Sequence, residues 1–175
     1  MKNKKELRNW LDEFNLKHPL TIAGPCSAET EELVLKIAHS LKNTKATVFR
    51  AGLWKPRTRP GNFEGVGSLG LKWLQKAKQE TGMLITTEVA NANHVELALK
   101  HDIDILWIGA RSTVSPFIVQ EIAEALRGTD KPVLIKNPVN PDLSLWLGAV
   151  ERFYSCNVKN VAYVLVLVEG LIFKV

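Results

Sequence analysis

Six short apolar runs alternate with stretches of helical spacing along this chain, and few folds accept that order. The runs are Leu20 to Gly24, Thr47 to Trp54, Leu84 to Val89, Ile105 to Ala110, Pro132 to Ile135 and Val161 to Val168. Between the first two, Val34, Ile37, Ala38 and Leu41 fall on one helical face behind Glu29, Glu31 and Glu32, whose charge suits a helix N-terminus. A Gly-rich loop, 61–70, leads into a helix facing inward through Leu71, Leu74 and Ala77 and closed by Gly82. Asn91 can cap a helix carrying Val95, Ala98 and Leu99. Ser115-Pro116 is a favourable cap and first-turn pair for Ile118, Ile122 and Leu126, and Pro141-Asp142 opens a helix with Trp146, Ala149, Val150 and Phe153 inward. Strands that are apolar on both faces and separated by amphipathic helices predict a parallel sheet covered by helices, an α/β fold.

Length then bounds the architecture. The chain has 175 residues, 46% of them hydrophobic, enough for one domain with a real core. A closed eight-stranded α/β barrel usually needs about 250 residues, so the chain is short for its own pattern. Leu7, Trp10, Leu11 and Phe14 predict a helical extension over residues 1–18 that covers one end of the sheet.

Charge and cysteine content narrow the partners. The net charge is +5, but apart from Lys2, Lys4 and Lys5 the basic residues are spread along the chain. That distribution predicts anionic small molecules as ligands and not nucleic acid. Cys26 and Cys156 are too few for a disulfide framework, and no charged-then-apolar leader opens the sequence, so a cytoplasmic location is expected. The C-terminal apolar run is shorter than the roughly 20 residues needed to span a bilayer, so no membrane partner is expected.

In a parallel α/β fold the loops at the carboxyl ends of the strands form the site. Read in order, those loops carry Cys26, Lys55 to Thr58, Glu88, Arg111 and Lys136. Arg forks grip phosphate or carboxylate at two points and Lys supplies point charges, so the set suits a strongly anionic ligand. Each residue also has a plainer reading: a solvated cation after a strand, a buried inert Cys26, a Glu88 paired with a neighbouring Arg. His18, His39, His94 and His101 fall before the first strand or on helices, away from this rim, and Cys156 at a helix end reads as structural.

Gly24-Pro25-Cys26-Ser27, Arg50 with Lys55-Pro56-Arg57-Thr58, Thr87-Glu88, Gly109-Ala110-Arg111 and Lys136-Asn137-Pro138 carry a specific likeness. In that order and spacing they resemble the signature of the 3-deoxy-D-arabino-heptulosonate 7-phosphate (DAHP) synthase family, the entry enzymes of the shikimate pathway. The branch is the one related to 3-deoxy-D-manno-octulosonate 8-phosphate (KDO8P) synthase and to synthases fused to chorismate mutase. The resemblance implies a (β/α)8 TIM barrel, present here as about six βα strands, and an aldol-type condensation of phosphoenolpyruvate with erythrose 4-phosphate.

By the same resemblance, Cys26 corresponds to a ligand of a divalent metal of the Mn, Fe, Co or Zn class. Arg50, Lys55, Ala110, Arg111 and Lys136 correspond to the phosphoenolpyruvate site, with Glu88 beside them. Lys55 is also the expected catalytic group for proton handling, and Pro56, Arg57 and Thr58 correspond to the erythrose phosphate site. KDO8P synthases carry an Ala-Asn-Arg-Ser type run where this chain has Pro56-Arg57-Thr58, which favours the tetrose substrate. The full-length form is expected to be a homo-oligomer.

The likeness runs from about Lys4 to about Val161. There the family continues into a His-Arg-Gly loop and two further βα units with the remaining metal ligands, while this chain reads Ala162-Tyr163-Val164-Leu165-Val166-Leu167-Val168. Residues 19–161 are therefore expected to form a partial barrel and 162–175 an aberrant apolar tail, most metal ligands being absent. A truncated or frame-disrupted product is expected, prone to association through open strand edges and inactive alone. Two other readings stand beside the enzyme: a non-catalytic phosphate-binding or interaction fragment, and a phosphosugar aldolase using Lys136 as a Schiff base.

Overall fold

The alternation folds as one parallel sheet. A computed structural model describes residues 20–55, 57 and 59–164. The strands are β1 (Ile22–Ala23), β2 (Val48–Arg50), β3 (Leu84–Val89), β4 (Ile105–Ile108), β5 (Val133–Lys136) and β6 (Val161–Val164). They lie side by side in chain order, every pair parallel. The helices are α1 (Glu31–Leu41), α2 (Leu69–Thr81), α3 (Ala92–Lys100), a single turn α4 (Ala110–Thr113), α5 (Pro116–Ala125) and α6 (Leu143–Ser155). Sequential βα units in unbroken strand order form an incomplete α/β barrel, as expected.

Local chemistry sets most of the helix ends. Thr30, Asn91, Ser115 and Asp142 each accept a hydrogen bond at the side chain from the backbone N–H three residues on, satisfying one of the orphan donors of α1, α3, α5 and α6. Gly82 stops α2 with φ of 75°, a left-handed conformation that costs glycine nothing, and its N–H returns to the Lys78 carbonyl.

Two apolar layers sit on the two faces of the sheet. Phe49, Ile85, Val89, Leu106, Ile108, Val133 and Ile135 pack outward against the buried faces of the helices, including Val34, Leu71, Leu74, Val95, Ile122 and Phe153. Val48, Ile105, Trp107 and Leu134 form a smaller cluster on the other face. Because strand side chains alternate, the second set fixes which residues line the concave side: Val48 puts Arg50 there, Ile105 accompanies Trp107, and Leu134 puts Lys136 there. Below the site end, Asp104 accepts from Ile85 N at 2.9 Å and from Lys78 Nζ at 2.6 Å, joining β3, β4 and α2.

Several boundaries differ from the sequence expectation. Regular pairing in β1 and β2 is shorter than the apolar runs; Ala51 N still reaches the Thr86 carbonyl, and the long β2–α2 loop follows. The fourth strand ends at Ile108, and Ala110 instead starts the α4 turn. The boundary expected after Val161 falls inside β6, whose Ala162, Tyr163 and Val164 pair with Leu134, Ile135 and Lys136. The helix proposed over 1–18 and the continuation of the sixth run through 165–168 lie outside the described residues.

Candidate functional site

The carboxyl ends of β1 to β5 converge on a cluster of charged groups around one indole. Trp107, 3% exposed, stands on the concave side of β4. Its Nε1 donates to Glu88 Oε2 at 3.1 Å from the adjoining β3, where Glu88 is in register with Trp107. The Arg50 guanidinium carbon from β2 lies 4.7 Å from the Trp107 ring centroid, and Lys136 Nζ from β5 lies 5.2 Å from it. These are cation–π distances.

The loops after β1 and β2 bring a second pair to the same end. Lys55 Nζ donates to the Cys26 carbonyl at 2.8 Å and to Cys26 Sγ at 3.3 Å. Close backbone approach makes this possible: a side chain on Gly52 would strike the Cys26 carbonyl and crowd the Lys55 chain. Gly24, at φ of 146°, likewise lies against the Arg50 backbone with no room for a Cβ. A Cβ on Gly109 would meet the Glu88 carboxylate, so the β4 end is shaped around that acid.

Charge within the cluster is mutually felt. The Lys55 hydrogen bond, helped by the charges of Lys55, Arg50 and Lys136, holds the exposed Cys26 thiol below its ordinary range against the opposing effect of burial. Burial pushes the Lys136 amine down, the Arg50 charge adds to that, and Glu88 opposes it. Among the described residues, Arg50 Nε and Thr86 Oγ1 are buried with no hydrogen-bond partner, as is Ser27 Oγ. Arg50 is in register with Thr86, so the first two belong to neighbouring strands on the concave side. Arg50 is half-buried, but a buried Nε–H left unpaired on a charged group costs more than the roughly 1–3 kcal/mol of a neutral donor, and beside two lysines it suits an anionic ligand.

The expected residues therefore separate into three groups. Cys26, Arg50, Lys55, Glu88 and Lys136 are brought together. Arg57 and Arg111 are exposed on loops at the same sheet end, Arg57 donating through Nε to the Phe63 carbonyl at 2.8 Å and Arg111 lying in the α4 turn. Ala110 begins that turn, and its carbonyl accepts from Val139 N at 3.3 Å, fastening the loop after β4 to the loop after β5. Pro56 and Thr58 lie outside the described residues.

Glu88 departs from its plainer reading as a surface acid, being 8% exposed and bonded to an indole. His94 departs from the expectation that it sits away from the rim. In the first turn of α3 it stacks on Trp54 of the β2–α2 loop, with ring centroids 4.0 Å apart, and its Nδ1 accepts from Ala90 N. Burial lowers its pKa. Cys156 is buried at the end of α6, with Gln120 and Arg127 donating weakly to its sulfur. Trp107 had no place in the expected site at all. Its apolar run, Ile105 to Ala110, hid which residues face the concave side.

The described residues contain no group of three or more His, Cys, Asp or Glu side chains placed to hold a metal ion. Cys26 is a single soft donor, already engaged by Lys55. The described residues thus do not by themselves form a metal centre. No described helix is long and apolar enough to cross a membrane.

Comparison with known proteins places this geometry in context. The model of the DAHP synthetase I family matches residues 15–170, a span that runs past β6. A phospho-2-dehydro-3-deoxyheptonate aldolase of Thermotoga maritima is 36% identical over 115 residues, covering 66% of this chain and 32% of that protein. A 2-dehydro-3-deoxyphosphooctonate aldolase of Syntrophotalea carbinolica is 37% identical over 105 residues, covering 55% of this chain and 38% of that protein. The crystal structure of a Thermotoga maritima phospho-2-dehydro-3-deoxyheptonate aldolase (DAHP synthase) superposes with a TM-score of 0.72 at 30% identity, over 82% of this chain and 41% of that one. The chain spans well under half the length of these relatives.

Proposed function

The chain belongs to the DAHP synthetase I family, and on that premise we propose that its cationic cluster is the phosphoenolpyruvate site of a 3-deoxy-7-phosphoheptulonate synthase, which condenses phosphoenolpyruvate with erythrose 4-phosphate to give DAHP and phosphate. The observation that carries this reading is the buried, unpartnered Arg50 Nε next to Lys136 and Lys55 on one concave face. Phosphoenolpyruvate carries a phosphate and a carboxylate on one enol carbon, and two close anions require dense positive charge in a sheltered place.

In this reading Arg50 and Lys136 take the two anionic groups, with Arg111 and the Ala110 backbone closing over them from the β4 loop. Glu88 supplies a negative charge that favours the protonated form of Lys136. Lys55 is the proton-handling group as C3 of phosphoenolpyruvate attacks the aldehyde carbon, and it must exchange Cys26 for substrate to do so. Water then adds at C2 and phosphate leaves. Pro56, Arg57 and Thr58 receive the erythrose phosphate. A divalent metal, where one is bound, would polarise the aldehyde oxygen, and of the described residues only Cys26 is proposed as its ligand. Homo-oligomerisation and a cytoplasmic location belong to the same reading.

Titration calorimetry with phosphoenolpyruvate, repeated with manganese and then with erythrose 4-phosphate, tests this directly. Saturable binding followed by release of phosphate on adding the tetrose supports the synthase. Binding that is indifferent to metal, with no phosphate released, favours a non-catalytic phosphate-binding fragment. No binding refutes the site. The identity to 2-dehydro-3-deoxyphosphooctonate aldolases supports a further alternative, a KDO8P synthase. Turnover with arabinose 5-phosphate in place of erythrose 4-phosphate would decide for it.

A further inference from the structure

The residue at the centre of the cluster has no role in the reading above. Trp107 receives groups from three other strands: the Glu88 carboxylate at its Nε1, and the Arg50 and Lys136 cations over its ring. Two cations beside a buried carboxylate would ordinarily collapse onto it and spend their charge there. Among the described residues, however, Glu88 makes no ion pair with Arg50 or Lys136. A neutral N–H takes the acid instead, and the electron-rich ring face seats the cations without consuming their N–H donors.

We infer that Trp107 is a positioning residue of the anion site: its ring seats Arg50 and Lys136 while its N–H engages Glu88, so that both cations stay turned toward the ligand. This deepens the phosphoenolpyruvate reading and rests on it. Phosphoenolpyruvate, with two anionic groups, needs both cations in place, whereas inorganic phosphate needs one. The ratio of the two affinities therefore reports positioning, and a general loss of packing would weaken both ligands alike.

The test is calorimetric titration of phosphoenolpyruvate and inorganic phosphate against the wild type, Trp107→Phe and Trp107→Leu. Trp107→Phe keeps a ring face but removes the N–H that engages Glu88, so it should lower the phosphoenolpyruvate-to-phosphate affinity ratio by about threefold, less than loss of the whole indole. Trp107→Leu should lower that ratio on the order of tenfold. Should the leucine variant fail to fold, Trp107→Met, closer in volume and without a π face, serves the same comparison. A parallel loss for both ligands, or an unchanged ratio in the non-aromatic variant, overturns the inference while leaving the site reading intact. A wild type that does not bind phosphoenolpyruvate refutes both.

Discussion

Lys55 Nζ lies 3.3 Å from Cys26 Sγ and 2.8 Å from the Cys26 carbonyl, so one ammonium bridges the loops after β1 and β2. The contact favours the thiolate, and the sign of its consequence is fixed. Removing the cation by Lys55→Ala should raise the Cys26 thiol toward its ordinary range. The rate of iodoacetamide alkylation of Cys26 against pH, read by mass spectrometry, should show its midpoint moving to higher pH in the variant. A midpoint that stays put would mean that Lys55 does not set this thiol.

Lys136 is pushed down by burial and by Arg50, while Glu88 pulls it up. A protonated Lys136 is the form that holds an anion, so affinity for phosphoenolpyruvate should be intact at lower pH and decline as pH rises through the depressed lysine titration. Glu88→Gln removes the larger of two acidic influences, the other being Cys26, and leaves burial, Arg50 and Lys55 less opposed. The decline should then begin at lower pH than in the wild type. Calorimetric dissociation constants across a pH series check the direction, and an upward displacement would contradict the proposed electrostatics.

Gly109 is the floor beneath the Glu88 carboxylate. Gly109→Ala must push that acid away from Trp107 or shift the β4 end, an overpacking cost of about 1–3 kcal/mol. Urea unfolding should show the loss. An alanine variant as stable as the wild type would mean that the Glu88 side chain has free space elsewhere.

These predictions depend on contacts that were unequally visible in the amino-acid sequence. Helix starts were legible because their signals are local: Asn91, Ser115 and Asp142 each cap within three residues of themselves. The strand order followed from alternation and from the connections between consecutive runs. That Arg50 and Lys136 sit at strand ends was legible for the same reason, since each closes its own apolar run, β2 and β5.

Facing was not legible. Ile105 to Ile108 is buried throughout, so nothing in its composition distinguishes Trp107, turned to the concave side, from Leu106, turned to the helices. The indole could be recognised as the hub only once the register with Glu88 was known. The end of β4 was missed because Gly109 and Ala110 prolong an apolar run, whereas the turn there answers to the Glu88 side chain two strand positions beyond Thr86 on the neighbouring strand. His94 was placed on a helix correctly, but its position in the first turn set it against Trp54.

Arg50 gives the most direct measure of whether this face was built for an enol phosphate. A charge-assisted contact from a guanidinium is worth about 1.5–3 kcal/mol, so Arg50→Ala should weaken phosphoenolpyruvate binding on the order of 10- to 100-fold by titration calorimetry. An Arg50→Ala chain that stays folded and binds phosphoenolpyruvate as tightly as the wild type would show that the anion, if it binds, sits somewhere else.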